Sequence, residues 1–348
     1  MPTSSIDTFF ACTIILAAAL IATASLTSTL QTGVLGTADT NENSYLQAIA
    51  DRIVTSAGAP VNWGSTNSTP TDFGLAASAS SIPYQLDIDK ISRLNSQNNC
   101  FLPYDSMVQA ANLNGIAFGI SISQIMGVIM QPLNSSTVGN QTSITFNVMT
   151  SVELQPVSAS LKCYTLANGY FGSAAGNTSS VGVGTITVQV PSAQQNNASI
   201  FMFAKASFDD RVTSYAVYSL ATQTQQSIPT NDILTLTPLN NCITFQTNSS
   251  DLTIQNAYVL SYNYAQNNPS INSTSPFQFP SLIDKSPLVI VVCGVNQGVS
   301  FQQWVSYPQV PLVAGSTFVG TEQNVFTYTV TIGGLLYNLQ VSLGSVPQ

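Results

Sequence analysis

Residues 8–30 contain no charge, no Gly and no Pro, a run of 23 positions directly after Asp7. As a helix the run rises about 34 Å, enough to cross a bilayer core of ~30 Å. Gly33 and Gly36 then loosen the chain. From 42 to 55 the helical character returns, with Leu46, Ile49 and Ile53 at i, i+3 and i+7. Gly58 and Pro60 close that segment in the order expected of a helix end. The pattern predicts an N-terminal helix over 1–58, apolar on every face in its first half and amphipathic in its second. A helix apolar all round must be buried in lipid or among other helices.

Turn residues dominate 59–133, with two short helices predicted near 87–94 and 105–112. Beyond that region the period falls to two. Residues 143–153, 184–190, 199–206 and 213–220 read as strands, and a second block follows at 233–237, 242–247, 256–264, 288–293, 326–332 and 336–343. Short strands punctuated by Gly, Asn and Ser favour β-sandwiches. The expected fold class is therefore α+β: the N-terminal apolar α-helix (1–58), a connecting region (59–133), and a β-rich ectodomain of two β-sandwich-like domains, 134–225 and 226–348.

Charged residues make up 6% of the chain, far below the ~25% of ordinary soluble domains, and Ser, Thr, Asn and Gln take their place. Seven basic residues stand singly between Arg52 and Lys285, so no patch exists to neutralise phosphates and nucleic acid is not an expected partner. With no His and fifteen carboxylates, little should titrate between pH 8 and pH 5. That suits acidic surroundings, or simply a glycan-covered surface. Acceptor sequons fall at Asn67, Asn134, Asn140, Asn177, Asn197, Asn248 and Asn272, which agrees with an extracellular location and N-linked glycans.

Cys12 lies inside the apolar run, and Cys100, Cys163, Cys242 and Cys293 lie beyond it. Four thiols permit three pairings. Cys242 and Cys293 share the C-terminal block in apolar strand contexts and are the expected disulfide, with Cys100 and Cys163 the leftover pair; the rival reading is four reduced, buried thiols. Wide spacing without C-x-x-C argues against a zinc site.

Four pieces of the connecting region follow one another: Gly58-Ala59-Pro60-Val61-Asn62-Trp63-Gly64, then Phe73-Gly74-Leu75-Ala76, then Leu86-Asp87-Ile88-Asp89-Lys90-Ile91-Ser92-Arg93-Leu94, then Tyr104-Asp105 leading to Phe118-Gly119-Ile120. With the N-terminal helix, this ordered set resembles archaeal type IV pilin-like surface proteins. The resemblance implies a helix stored in the membrane after removal of a basic leader, then withdrawn and bundled into a filament core with β-rich heads outside. It also implies an acidic residue near the mature N-terminus that compensates a neighbour's terminal amine. Asp7 is the candidate, with Asp in place of the more usual Glu and no basic leader ahead of it. Independently of the family, a carboxylate in a first helical turn interacts favourably with the helix dipole by ~0.3–1 kcal/mol, so Asp7 could equally cap an anchor helix.

Without His there is no Ser-His-Asp triad, Cys-His pair or H-E-x-x-H site, and no P-loop or G-x-S-x-G elbow occurs. Only carboxylate chemistry survives, with Glu153 and the Asp209-Asp210 pair as the suggestive residues for a glycosidase. Asp87-x-Asp89 and Asp209-Asp210 offer oxygens to calcium, but Asp87 reads better as a helix N-cap and Asp89 with Arg93 as a surface i, i+4 pair. Trp63 and Trp304 read as core or domain-contact residues before sugar-stacking ones. No enzyme, metal or cofactor is expected.

The function expected is a structural subunit of an extracellular filament, a helical homopolymer assembled through Asp7, Phe9, Phe10, Ile14, Ile15, Leu16 and Leu20 and held in the membrane before assembly. The alternatives are a single-pass surface receptor that never polymerises and a cell-surface glycosidase.

Overall fold

The computed structural model describes residues 43–345 apart from 79, 81, 114, 227–228, 230–232, 248–250, 270–275, 282–283 and 319–322. The chain divides into two compact units, Met1–Asp51 and Arg52–Gln348. Of the first, the described residues are helical, with Gln47 Nε2 donating to Asp51 at 3.0 Å. The apolar run lies outside the described residues, and among those described no helix is long and apolar enough to cross a membrane. Helical structure continues to residue 55. Gly58 follows at φ +70°, where a Cβ would meet the Asp72 carbonyl at 2.5 Å, so the stop signal lies at a backbone conformation that L side chains rarely adopt.

The second unit is mostly β, built from sheets that are antiparallel apart from the parallel pairing of Gln85–Leu86, and strand alternation decides which face is buried. In Gln141–Val152, Thr142, Ile144, Phe146, Val148 and Thr150 are buried and the residues between them are not. This strand is flanked by Met126–Val138 and Val183–Pro191. Its apolar face closes on a second sheet in the order Thr224–Gln226, Thr213–Ser219, Ser199–Ala206, Ala159–Ala167, Tyr170–Asn177. Phe146, Val148 and Ile186 of one sheet meet Leu161, Ile200 and Met202 of the other in one core. Fully burying a side chain of this size contributes about 1.5–3 kcal/mol.

A second sandwich follows. Leu234–Leu239, Cys242–Thr247 and Phe277–Gln278 form one sheet; Ala265–Pro269, Leu252–Leu260, Leu288–Asn296 and Val299–Tyr307 form the other. Leu236, Ile243, Val259, Ile290 and Val305 fill the space between them. The two sandwiches share a third apolar layer. Tyr164, Phe201, Phe203 and Val217 on the back of one sheet pack against Tyr258, Val289, Val291 and Trp304 on the back of the other. Strands buried on both faces need no polar side, which is why Thr213–Ser219 is buried throughout and Leu288–Asn296 opens with the apolar run Leu-Val-Ile-Val-Val.

The β-rich expectation and the two helices hold: Ile88–Leu94 and Tyr104–Ala111 are helical. The last strands differ from their expected setting. Gln323–Ile332 and Leu335–Ser345, read as part of the 226–348 block, pair with each other and return to Ile116–Gln124 in a sheet that also holds Gln85–Leu86 and Leu312–Gly315. Pairing partner is a long-range property, and strand periodicity carries no information about it.

Candidate functional site

The four motif pieces converge on Trp63, which is fully buried. Its indole Nε1 donates to the Gly74 carbonyl at 3.1 Å, and its ring lies 5.8 Å from Phe73. Phe73 meets Phe118, which meets Tyr104, whose hydroxyl accepts from Phe118 N–H at 3.2 Å. Asp87 caps the helix Ile88–Leu94 by accepting from the N–H groups of Asp89 and Lys90, as its place before Ile88 predicts. That helix turns two cations inward. Lys90 Nζ donates to the carbonyls of Ala57 and Ala76, both at 2.7 Å, and stands 5.7 Å from the Trp63 ring centre. The Arg93 guanidinium is 5.6 Å from the same ring and donates to the carbonyls of Trp63, Ser68 and Cys100. Gly64 lies so close that a Cβ there would meet Lys90 N at 2.6 Å.

Neither cation has a carboxylate within ion-pair distance among the described residues. Carbonyl oxygens and the indole π-face replace it. Burial lowers the pKa of both, with Asp87 opposing the shift at Lys90. The expected Asp89–Arg93 surface pair is thereby corrected, because Arg93 is buried among carbonyls. Asp89 instead accepts from Asn240 N–H at 2.8 Å and from the Tyr307 hydroxyl at 3.0 Å. The arrangement ties the motif region to the second sandwich, and the reciprocal amide pair of Asn98 and Gln309 reinforces the tie.

The other carboxylates singled out by sequence are engaged differently. Glu153 stands with Leu154 in a turn at positive φ. Asp209 pairs with Arg211 and Asp210 with Lys285, each at 2.8 Å, and hydrogen bonding to these cations lowers both carboxyl pKa values. No group of three metal-ligating side chains occurs among the described residues. Trp63 is core, and Trp304 is a contact between sandwiches that donates to Gln226 at 3.2 Å.

The expected Cys242–Cys293 disulfide is not formed, nor is Cys100–Cys163; all four thiols are free. Strand parity explains the first case. Ile243 faces the interior of the second sandwich, which turns its neighbour Cys242 outward. Cys293 follows Val292 of that same interior and therefore points the other way, against the layer between the sandwiches. Asn67, Asn134, Asn140, Asn177 and Asn197 are exposed. Asn248 and Asn272 lie outside the described residues, as do all the assembly-helix positions, Asp7, Phe9, Phe10, Ile14, Ile15, Leu16 and Leu20.

A cleft of about 190 Å³ opens where the layer between the two sandwiches ends. The residues in line with the buried aromatics give way there to Asn168, Ser199 and Ser219 on one sheet and to Gln255, Cys293 and Gln302 on the other. Gln255 is the extra residue of a β-bulge, where pairing with Leu288–Asn296 slips between Ile254 and Asn256. Gln302 Nε2 donates to Cys293 Sγ at 3.5 Å, while its Oε1 is buried without a partner. No lining residue is charged. Sequence reasoning missed this cleft because its residues come from six separate strands, loops and turns. It missed the buried cations too, whose only sequence signal is that two of seven basic residues share one turn of a helix beside a Trp motif.

No family model and no curated protein matches the chain. Among solved structures it is similar to HBP35 of Porphyromonas gingivalis, at 17% identity over 52% of this chain, with a TM-score of 0.20. The match spans 63% of that protein's chain, and a TM-score so low carries no inference about fold or activity.

Proposed function

We propose that this chain is a structural subunit of an extracellular filament of the archaeal type IV pilus kind, membrane-inserted through its apolar N-terminal run before assembly and bundled through that run afterwards. The observation that carries the reading is the uncharged run of 8–30 placed ahead of a β-rich, charge-poor body on which five sequons are exposed. Asp7, directly before the run in sequence, would meet a neighbouring subunit's amine, and the Phe9, Phe10, Ile14, Ile15, Leu16 and Leu20 side chains would line the helix core. The body suits a filament head, since its two sandwiches are joined by a shared apolar layer and its motif region is pinned to the second by Asp89.

Replacing Ile15 with Asp puts a charge where only hydrocarbon or apolar side chains should lie, at a cost of at least ~2.5 kcal/mol on insertion scales. Filaments should vanish in electron micrographs of cells carrying that variant. Normal filaments from a chain truncated before Gly33 would overturn the helix-core reading. Negative-stain images of purified native protein that show only single particles would favour the membrane-anchored receptor instead, a binding module built on the cleft between the sandwiches.

A further inference from the structure

We propose that the cleft between the two sandwiches seats the carbohydrate attached to Asn197, so that this glycan folds back onto its own protein. The inference rests on the reading of the chain as an exported glycoprotein. Asn197 lies at the edge of the cleft and is exposed, and the hydroxyl residue of its sequon, Ser199, lines the interior. The lining chemistry selects the ligand class. Asn168, Gln255 and Gln302 present amides and Ser199 and Ser219 present hydroxyls, a set that matches the donors and acceptors of a neutral sugar and offers nothing to a phosphate or a cation.

Three further features point to an occupant. The bulge at Gln255 adds a side chain that regular pairing would not supply, a device frequent beside binding sites. Gln302 Oε1 is buried without a hydrogen-bond partner, an unmet acceptor in the wall of the cleft. The cleft also lies where the apolar layer ends, and there Asn168, Ser199, Ser219 and Gln302 continue the rows of Leu166, Phe201, Val217 and Trp304. Its volume of about 190 Å³ accommodates one sugar ring and not an extended chain. Because the glycan is tethered beside it, the effective concentration is on the order of millimolar, and weak polar contacts suffice.

Cys293 reports on occupancy, since it lines the cleft and is free. The test uses the full chain purified from its glycosylating source, with Asn197→Gln and, as a control away from the cleft, Asn177→Gln. Glycopeptide mass mapping reads modification, and iodoacetamide labelling of the folded protein reads the Cys293 rate. The expected result is a glycan on Asn197, with Cys293 labelled about tenfold faster in Asn197→Gln than in the parent or in Asn177→Gln. Equal rates in all three proteins would overturn the inference. So would an unmodified Asn197 on a chain whose other sequons carry glycan, while bare sequons throughout would overturn the glycoprotein reading with it. If an excess of free glucose or N-acetylglucosamine protects Cys293 in a chain whose Asn197 is naturally bare, the cleft takes sugar from outside and the own-glycan assignment fails.

Discussion

The Tyr307 hydroxyl donates to Asp89 at 3.0 Å and so joins the helix Ile88–Leu94 to the end of the strand Val299–Tyr307. The bond links residues 218 positions apart in sequence. It also sets a carboxylate in a half-buried place, with a pH consequence of definite sign.

Burial raises the Asp89 pKa above its ordinary 3.8 and Asp87 adds to the rise, while the hydrogen bonds from Asn240 and Tyr307 oppose it. A carboxyl whose folded pKa is raised binds its proton more tightly in the folded state. Its contribution to stability is therefore fully present below pH 3.8 and is lost as pH rises through the raised value. Asp89→Asn keeps an acceptor oxygen and removes the titration. The melting temperature of the variant relative to the parent should thus climb as pH rises from about 4 through the raised Asp89 value. A constant difference across that range would show that Asp89 is not held as described.

Truncating Trp63 to Ala should destabilise the second unit by about 3–5 kcal/mol, the usual cost of emptying a large aromatic site. Lys90 and Arg93 would also lose the ring face between them. Trp63→Phe retains most of the ring and forfeits the bond to the Gly74 carbonyl, for about 1 kcal/mol. Urea unfolding measures both, with Trp304 fluorescence still available as a probe. Equal losses for the two variants would mean that the ring contributes little.

Peptide mapping of protein alkylated without reduction should recover Cys100, Cys163, Cys242 and Cys293 as free thiols. In the folded protein Cys163 should react last. It is fully buried in the first sandwich core, where desolvation drives its pKa far upward, and burial pushes Cys293 up to about 11. Recovery of the Cys242 and Cys293 peptides joined by a disulfide would contradict the opposed directions of the two strands' side chains.

Intact-mass measurement of native protein should exceed the bare polypeptide mass, with glycopeptides at Asn67, Asn134, Asn140, Asn177 and Asn197, the exposed sequons. A spectrum at the unmodified mass would remove N-linked glycan from the description of this surface.

Sequence by itself determined the local elements. The i, i+3, i+7 rhythm of Leu46, Ile49 and Ile53 placed the helix that ends at 55, Asp87 marked the start of the helix at Ile88, and a period of two over 143–153 marked the strand found at Gln141–Val152. These are short-range matters of capping, periodicity and backbone freedom, which a single stretch of chain can express. Tertiary structure alone decided the rest. It sent Gln323–Ile332 and Leu335–Ser345 back to Ile116–Gln124, turned Cys242 away from Cys293, drew Arg93 from an expected surface pair into a ring of carbonyls around Trp63, and gathered Asn168, Gln255 and Gln302 into one cleft. Strand partners, the facing of sheet backs and the neighbours of a buried charge depend on residues far apart in sequence, and no local period encodes which of them meet.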